Sequence, residues 1–159
     1  MATVISLLNH KGGVGKTTSS IGIGAGLVEL GRKVLLMDLD PQANLTLSLG
    51  VPRVKISIYE ALRGQGELAP YTVKEGLDVV PSTLNLSGAE MELINEAGRE
   101  YILQELLEPL QEEYDYIIID CPPSLGLLTL NSLTSSNYVI IPLQTEFLAL
   151  QGLTKIKQV

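Results

Sequence analysis

A glycine-rich stretch directly after an apolar run constrains the fold of this chain more than any other feature. Residues 9–18 read NHKGGVGKTT and follow the run Val4–Leu8, whose composition is typical of a buried strand. A helical pattern then begins at Lys16. Glycines let the backbone fold tightly around a phosphate with its N–H groups pointing inward, and the start of a helix adds partial positive charge. The stretch therefore predicts a phosphate-binding loop between a strand and a helix.

The side chains of this loop have expected tasks. Lys16 is expected to reach the outer phosphates of a nucleotide, and the hydroxyl of Thr17 to coordinate a magnesium ion. ATP would be bound by one continuous segment, whose members are Lys11, Gly12, Gly13, Val14, Gly15, Lys16, Thr17 and Thr18. The competing interpretation is a glycine-rich turn that only joins a strand to a helix. Turn chemistry does not explain why two lysines and two threonines stand there.

The chain is acidic, and this limits its partners. The formal net charge of −7 argues against a nucleic-acid groove on this segment, because such grooves neutralise phosphates with Lys and Arg. The one cysteine, Cys121, excludes a disulfide framework and fits a reducing cytosol. No apolar run approaches the roughly 18 residues that span a bilayer. We therefore expect a cytoplasmic protein without a membrane segment, and a length of 159 residues fits a single domain over 1–159.

Short apolar runs alternate with helical patterns along the chain. The runs, typical of parallel strands covered on both faces, are Val4–Leu8, Val34–Met37, Leu77–Val80, Tyr116–Ile119 and Tyr138–Ile141. The helical patterns cover Lys16–Leu30, Leu45–Leu49, Ile56–Arg63, Glu100–Glu113, Leu125–Leu133 and Glu146–Val159. This alternation predicts an α/β fold of the P-loop NTPase type. Its doubly wound, mostly parallel sheet would carry helices on both faces, in three α/β/α layers.

Carboxylates follow two of the predicted strands. Asp120 comes directly after the run Tyr116–Ile119, and Asp38 and Asp40 close the second strand. In open α/β sheets ligands bind at the carboxyl ends of the strands, so these side chains are expected near the nucleotide. Asp120 is expected to hold the magnesium ion through a water molecule. The alternatives are a capping or turn role for Asp120 and a pair of turn carboxylates before Pro41.

Several segments together resemble one known family. Lys-Gly-Gly-Val-Gly-Lys-Thr over 11–17 resembles the deviant Walker A motif of the ParA/MinD family of ATPases. Asp-Leu-Asp-Pro-Gln over 38–42 and Cys-Pro-Pro-Ser over 121–124 resemble its two switch segments. The block over 141–153 is similar to the ParA branch more than to the MinD branch.

The resemblance implies roles for individual residues. In the family the extra lysine, here Lys11, crosses to the other subunit of a nucleotide-sandwich homodimer and contacts its phosphates. The second aspartate of the first switch, here Asp40, orients the attacking water, and the first, Asp38, lies near the metal shell. The expected catalytic residues are Lys11, Lys16 and Asp40. The expected metal ligands are Thr17, Asp120 and Asp38.

The resemblance also implies a function. Family members are dimeric switches that bind Mg-ATP and hydrolyse it slowly, coat nucleoid DNA, respond to a ParB-type stimulating protein and thereby move plasmids, chromosomal origins or other cargo. Their DNA contacts lie mostly beyond the part matched here, and the chain is expected to be truncated at its C-terminus. Two alternatives stay open. One is a MinD-like positioning ATPase on membranes, and the other is a binding module that uses nucleotide without hydrolysing it.

Overall fold

Strands and helices alternate along the chain in the computed structural model, which describes residues 1–52 and 54–144. The strands in this part are β1 (Thr3–Leu7), β2 (Val34–Asp38), β3 (Tyr71–Lys74), β4 (Leu77–Val80), β5 (Tyr116–Asp120) and β6 (Tyr138–Ile140). The helices are α1 (Lys16–Glu29), α2 (Asn44–Ser48), α3 (Ile58–Leu62), α4 (Ala89–Glu92), α5 (Ile102–Leu107) and α6 (Leu127–Ser135). Two 3-10 segments cover Leu84–Gly88 and Glu108–Leu110.

The strands form one sheet in the order β3-β4-β2-β5-β1-β6. Every neighbouring pair is parallel except β3 and β4. In the central strands β2 and β5 the residues on both faces are almost completely buried, because apolar side chains alternate with equally apolar neighbours. The predicted doubly wound, mostly parallel sheet is confirmed.

Helices cover both faces of the sheet, which gives the three predicted layers. One apolar cluster joins the sheet to α3, α5 and α6, and the other joins it to α1 and α2. Helix α1 approaches closely because Gly24 has no side chain: a Cβ there would lie 2.8 Å from Cδ2 of Leu36. This close approach brings the first turn of α1 next to the carboxyl end of β5.

Two details differ from the sequence-based expectation, and a third prediction is not tested. The exposed edge strand β3, antiparallel to β4, lies in a region where no strand was predicted, since its side chains lack the continuous apolar character of the inner strands. Helix α5 ends at Leu107, where Pro109 interrupts the predicted longer helix and a 3-10 turn follows. The predicted helix Glu146–Val159 lies outside the described residues.

Candidate nucleotide-binding site

The loop between β1 and α1 has the backbone geometry of a phosphate cradle. Gly13 and Gly15 adopt φ values of 74° and 89°, which L side chains rarely tolerate. Asn9, buried at the end of β1, holds the loop from inside. Its Oδ1 accepts a hydrogen bond from the Lys11 N–H at 2.9 Å, and its Nδ2 donates to the Pro142 carbonyl at 2.7 Å. Asn9 therefore ties the loop to the segment that follows β6.

Lys16 lies at the base of this cradle. Lys16 is only 8% exposed, and its Nζ donates a hydrogen bond to the Asn9 carbonyl at 3.4 Å. This long hydrogen bond holds the ammonium group within the loop. Among residues 1–52 and 54–144 no carboxylate is bonded to Lys16. A buried lysine in this situation is costly, and an anion in the cradle would offset that cost.

A cavity of about 460 Å³ opens above the loop. Residues of the loop, of the segment after β2 and of the segment after β5 share its lining: Gly12, Gly13, Gly15, Lys16, Thr17, Thr18, Asp40, Gln42, Asn44, Ser48 and Pro123. Of the predicted ATP-binding residues, six therefore face one space. Asp40 also lines this cavity, although more than twenty residues separate it from the loop in the sequence.

Asp120 stands directly behind the loop. Its Oδ2 accepts a hydrogen bond from the Thr17 hydroxyl at 2.6 Å, and its Oδ1 accepts one from the Ser20 hydroxyl at 3.3 Å. Burial raises the pKa of this carboxyl to about 6, helped by the nearby charge of Asp38 and opposed by the hydrogen bond from Thr17. A bound cation would favour the ionised carboxylate and remove much of this shift.

The hydroxyl of Thr17 and the carboxylate of Asp120 fit a magnesium ion by their chemistry, since Mg²⁺ prefers oxygen ligands and keeps several waters. Among the residues that the structure describes, no group of three or more His, Cys, Asp or Glu side chains could hold a metal. An ion at this position would therefore share its remaining ligands with phosphate oxygens and water.

Asp38 is the neighbour of Asp120 in the sheet register, and it is completely buried. Its surroundings differ, however. Its Oδ1 accepts the Asp40 N–H at 3.2 Å, and its Oδ2 accepts both the N–H and the hydroxyl of Thr46 at 2.9 and 2.6 Å. Burial raises the pKa of Asp38 despite these three donors.

Asp40 reaches the cavity from the other side. Its Oδ1 accepts a hydrogen bond from the Gln42 N–H at 2.9 Å, which closes a tight turn over Pro41. Asp40 is half-buried, so one face of the carboxylate is open to the cavity. This is the arrangement needed to polarise a water near a bound phosphate.

Lys11 lies at the outer rim of the loop. Its Nζ donates to Oε1 of Gln144 at 3.1 Å, and Gln144 in turn donates from Nε2 to the Gly13 carbonyl at 3.4 Å. The two lysines of the motif therefore lie at different depths, Lys16 inside the cradle and Lys11 at its surface.

Sequence reasoning missed several residues of this site. Asn9 lies within the quoted motif, yet only the structure shows how it anchors the loop. Asn44 and Ser48 on α2 line the cavity, and Thr46 between them bonds Asp38. The sequence did contain a signal for these residues. Directly after the Asp-Pro-Gln segment, a short amphipathic helix carries a polar residue at every second position.

Fold and site together define a class. A parallel sheet whose first strand leads through a glycine-rich loop into a helix, with a buried aspartate at the end of the neighbouring strand, is the architecture of a P-loop nucleotide-binding protein. Over the described residues, no helix is long and apolar enough to cross a membrane.

Comparisons with known proteins narrow this class. A family model described as an AAA domain matches residues 2–159. The chain is 47% identical to the sporulation initiation inhibitor protein Soj of Bacillus subtilis, over 98% of this chain and 64% of that protein. It is 51% identical to the chromosome partitioning protein ParA of Myxococcus xanthus, over 96% of this chain and 56% of that protein.

A solved structure is similarly close. The structure of cobyrinic acid a,c-diamide synthase from Mycobacterium smegmatis with bound ADP and magnesium superimposes with a TM-score of 0.95 at 48% identity. The superposition covers 99% of this chain and 66% of that one.

The chain belongs to this AAA domain family and, within it, to the ParA/Soj-like partition ATPases. The family resemblance noted from the sequence motifs is thereby confirmed. The chain spans less than two thirds of the length of these two relatives from Bacillus subtilis and Myxococcus xanthus.

Proposed function

We propose that this protein binds Mg-ATP, hydrolyses it slowly and works as a dimeric switch in the partition of plasmids or chromosomes. The observation that carries the proposal is the single cavity above the phosphate loop. Lys16, Thr17 and Asp40 all line this cavity, and the hydroxyl of Thr17 is hydrogen-bonded to Asp120 behind the loop. The neighbour from Mycobacterium smegmatis binds ADP and magnesium, which supports the same ligands here.

Binding depends on the loop and the first turn of α1. The backbone N–H groups of 12–18 and the start of the helix surround the phosphates, and the Lys16 ammonium, already directed into the loop, donates to the outer ones. Thr17 and Asp120 would hold the magnesium ion, Asp120 through water. Magnesium, when bound, would neutralise the charge on the outer phosphates.

Hydrolysis depends on Asp40. The carboxylate accepts a hydrogen bond from a water molecule and orients it toward the terminal phosphate, while Lys16 stabilises the charge that develops on the phosphate oxygens. Because phosphoryl transfer needs mainly positioning and electrostatic stabilisation, a site with these few groups is sufficient for slow turnover.

Dimerisation depends on Lys11. Its position at the rim of the loop, with the ammonium group beside Gln144, supports a role at the surface that a second subunit covers. There Lys11 would contact the phosphates bound by the partner subunit. The name of the Myxococcus xanthus relative supports chromosome partitioning as the biological setting. In that setting we propose a cytoplasmic protein that associates with the nucleoid when ATP is bound, responds to a ParB-type stimulating protein and binds DNA mostly through residues beyond this chain.

The test is phosphate release by the intact protein with Mg-ATP, with and without double-stranded DNA. We expect slow release in the wild type, and a loss of roughly 100-fold or more in Asp40→Ala with ATP affinity retained, since positioned acid–base groups contribute about that much. Glu67→Ala, which removes an exposed carboxylate outside the cavity, is the matched control. Unchanged turnover in Asp40→Ala would show that Asp40 does not orient the attacking water.

The same assay separates the alternatives. Nucleotide binding without any phosphate release, in the presence of DNA and a ParB-type protein, would indicate a non-hydrolysing binding module. ATP-dependent sedimentation with anionic lipid vesicles, but not with DNA, would indicate a MinD-like protein.

A second candidate is the synthesis of amides on cobyrinic acid, and the 48% identity to the Mycobacterium smegmatis structure favours it. This candidate predicts that phosphate release rises on addition of cobyrinic acid and a nitrogen donor, and that a carboxyl group of the acid is converted to an amide, which mass spectrometry detects as the replacement of OH by NH2. A partition ATPase responds to neither compound.

A further inference from the structure

We propose that Thr46 is a positioning residue for hydrolysis, which acts through Asp38 to fix the loop that carries Asp40. In this account Asp38 serves the loop and is not a ligand of the metal. The inference deepens the proposed function, because it rests on the role of Asp40 in orienting water.

The carboxylate of Asp38 accepts hydrogen bonds from the loop that follows its own strand. Asp40 donates its N–H to Oδ1, and Thr46 donates its N–H and its hydroxyl to Oδ2. The side chain is completely buried, so these three donors replace the water that an ionised carboxylate would otherwise bind. A metal ion at Asp38 would have to compete with these three donors for the same two oxygens.

Thr46 connects this carboxylate to the next strand. Its hydroxyl donates to Asp38 at 2.6 Å and accepts the Ser82 N–H, just beyond β4, at 2.9 Å. Thr46 and Ser82 are 7% and 3% exposed. One hydroxyl thus uses both its donor and its acceptor function to tie the loop after β2 to the end of β4.

The position of α2 follows from the same contact. Leu45 anchors the helix in the apolar cluster below α1, while Asn44 and Ser48 face the cavity. Thr46 itself bonds Asp38 and Ser82 and contacts no reacting atom, so its influence on the cavity passes through the Asp38–Asp40 segment. Valine has nearly the shape of threonine and fills the same space. It lacks the hydroxyl, however, so the hydrogen bond from this group to Asp38 and the one from the Ser82 N–H are both lost.

The experiment compares Thr46→Val with Thr46→Ser in the intact protein. We expect Thr46→Val to lower kcat about 10-fold with the Kd for Mg-ATP within twofold, and Thr46→Ser, which keeps the hydroxyl, to restore most of the turnover. In the Asp40→Ala background Thr46→Val should have no further effect on kcat, because two residues that act as one unit are not additive. A merely structural role predicts additive losses and a shifted Kd, and that result would overturn the proposal.

Two further measurements do not depend on hydrolysis. Hydrogen exchange at the amides of Asp40 and Thr46 should be about 10-fold faster in Thr46→Val and unchanged in Thr46→Ser; unchanged exchange in both variants contradicts the proposal even if the wild type releases no phosphate. Asp38→Asn should leave the magnesium dependence of nucleotide binding as in the wild type. If Asp38→Asn abolishes that dependence, Asp38 is a metal ligand and the inference is wrong. If Thr46→Val does not fold, Thr46→Ala takes its place. The same exchange measurement then compares Thr46→Ala with Thr46→Ser and decides whether the hydroxyl holds the loop.

Discussion

The carboxyl ends of β2 and β5 carry the same residue at paired positions of the sheet, yet the two aspartates have different surroundings. Asp38 and Asp120 are register partners, 0% and 1% exposed. Asp120 accepts hydrogen bonds from the hydroxyls of Thr17 and Ser20, both on α1. Asp38 accepts its hydrogen bonds from the segment that directly follows its own strand.

The residues after each strand explain this difference. Pro122 and Pro123 follow β5 closely and have no N–H, so the turn there offers few amide donors to Asp120. Donors must come from elsewhere, and the hydroxyls of Thr17 and Ser20 on α1 provide them. After β2 the chain turns through Asp40 and into α2, and the amides of Asp40 and Thr46 donate back to Asp38. A buried carboxylate therefore becomes part of a ligand site when local amides are missing, and part of a loop when they are present.

The largest expected effect concerns the phosphate half of the site. Lys16→Ala should weaken ATP binding by about 100-fold and abolish turnover, because a buried charge-assisted contact to phosphate contributes ~3 kcal/mol. Lys74→Ala, at an exposed position on the edge strand β3, is the control. Isothermal titration with Mg-ATP measures both variants, and equal affinity for wild type and Lys16→Ala would show that phosphate does not bind in the loop.

The comparison itself predicts opposite outcomes for two matched substitutions. Asp120→Asn should weaken the magnesium dependence of ATP binding by about 10-fold, since one charged ligand to the ion's shell is lost. Asp38→Asn should leave it unchanged and instead lower the melting temperature, because the amide cannot accept all three local hydrogen bonds. Equal effects of the two substitutions on magnesium titrations would erase the distinction between the two strand ends.

A smaller effect concerns pH. The pKa of Asp120 is raised to about 6 from its ordinary value of 3.8, so the folded protein binds more protons than the unfolded chain between these values. In the metal-free protein the stability associated with this group is present below pH 4 and is lost as the pH rises through 6. In urea unfolding, the difference in the free energy of unfolding between wild type and Asp120→Asn should change with pH over this range and stay constant outside it. A difference that is independent of pH contradicts the assigned shift.

The smallest effect concerns Cys121, which follows Asp120 and is 1% exposed. Burial raises the pKa of its thiol to about 12, and its Sγ lies 3.1 Å from the Ser132 hydroxyl. Iodoacetamide at pH 8 should therefore leave the native protein unmodified and alkylate it fully after unfolding in urea. Rapid labelling of the native state, followed by mass spectrometry, would mean that the end of β5 opens.

Much of the site could be predicted from the sequence because its residues are adjacent in the chain. The phosphate loop is one segment, and Asp120 ends a clear apolar strand. The environment of Asp38 could not be read in the same way, since it depends on how α2 folds back over eight residues. The contact of Thr46 with Ser82 joins α2 to the end of β4. The antiparallel edge strand β3 lacks an apolar pattern. Short polar helices and exposed edges are specified mainly by tertiary contacts.

The account depends most on a nucleotide being held through its phosphates at the end of β1. The direct measurement is the affinity of the intact protein for ATP and for adenosine, by isothermal titration with magnesium present and absent. We expect measurable ATP binding that requires magnesium for full strength and exceeds adenosine binding by at least ~100-fold, because the loop, Lys16 and the ion all act on phosphate. Equal affinity for ATP and adenosine, or no affinity for any nucleoside triphosphate, would contradict it.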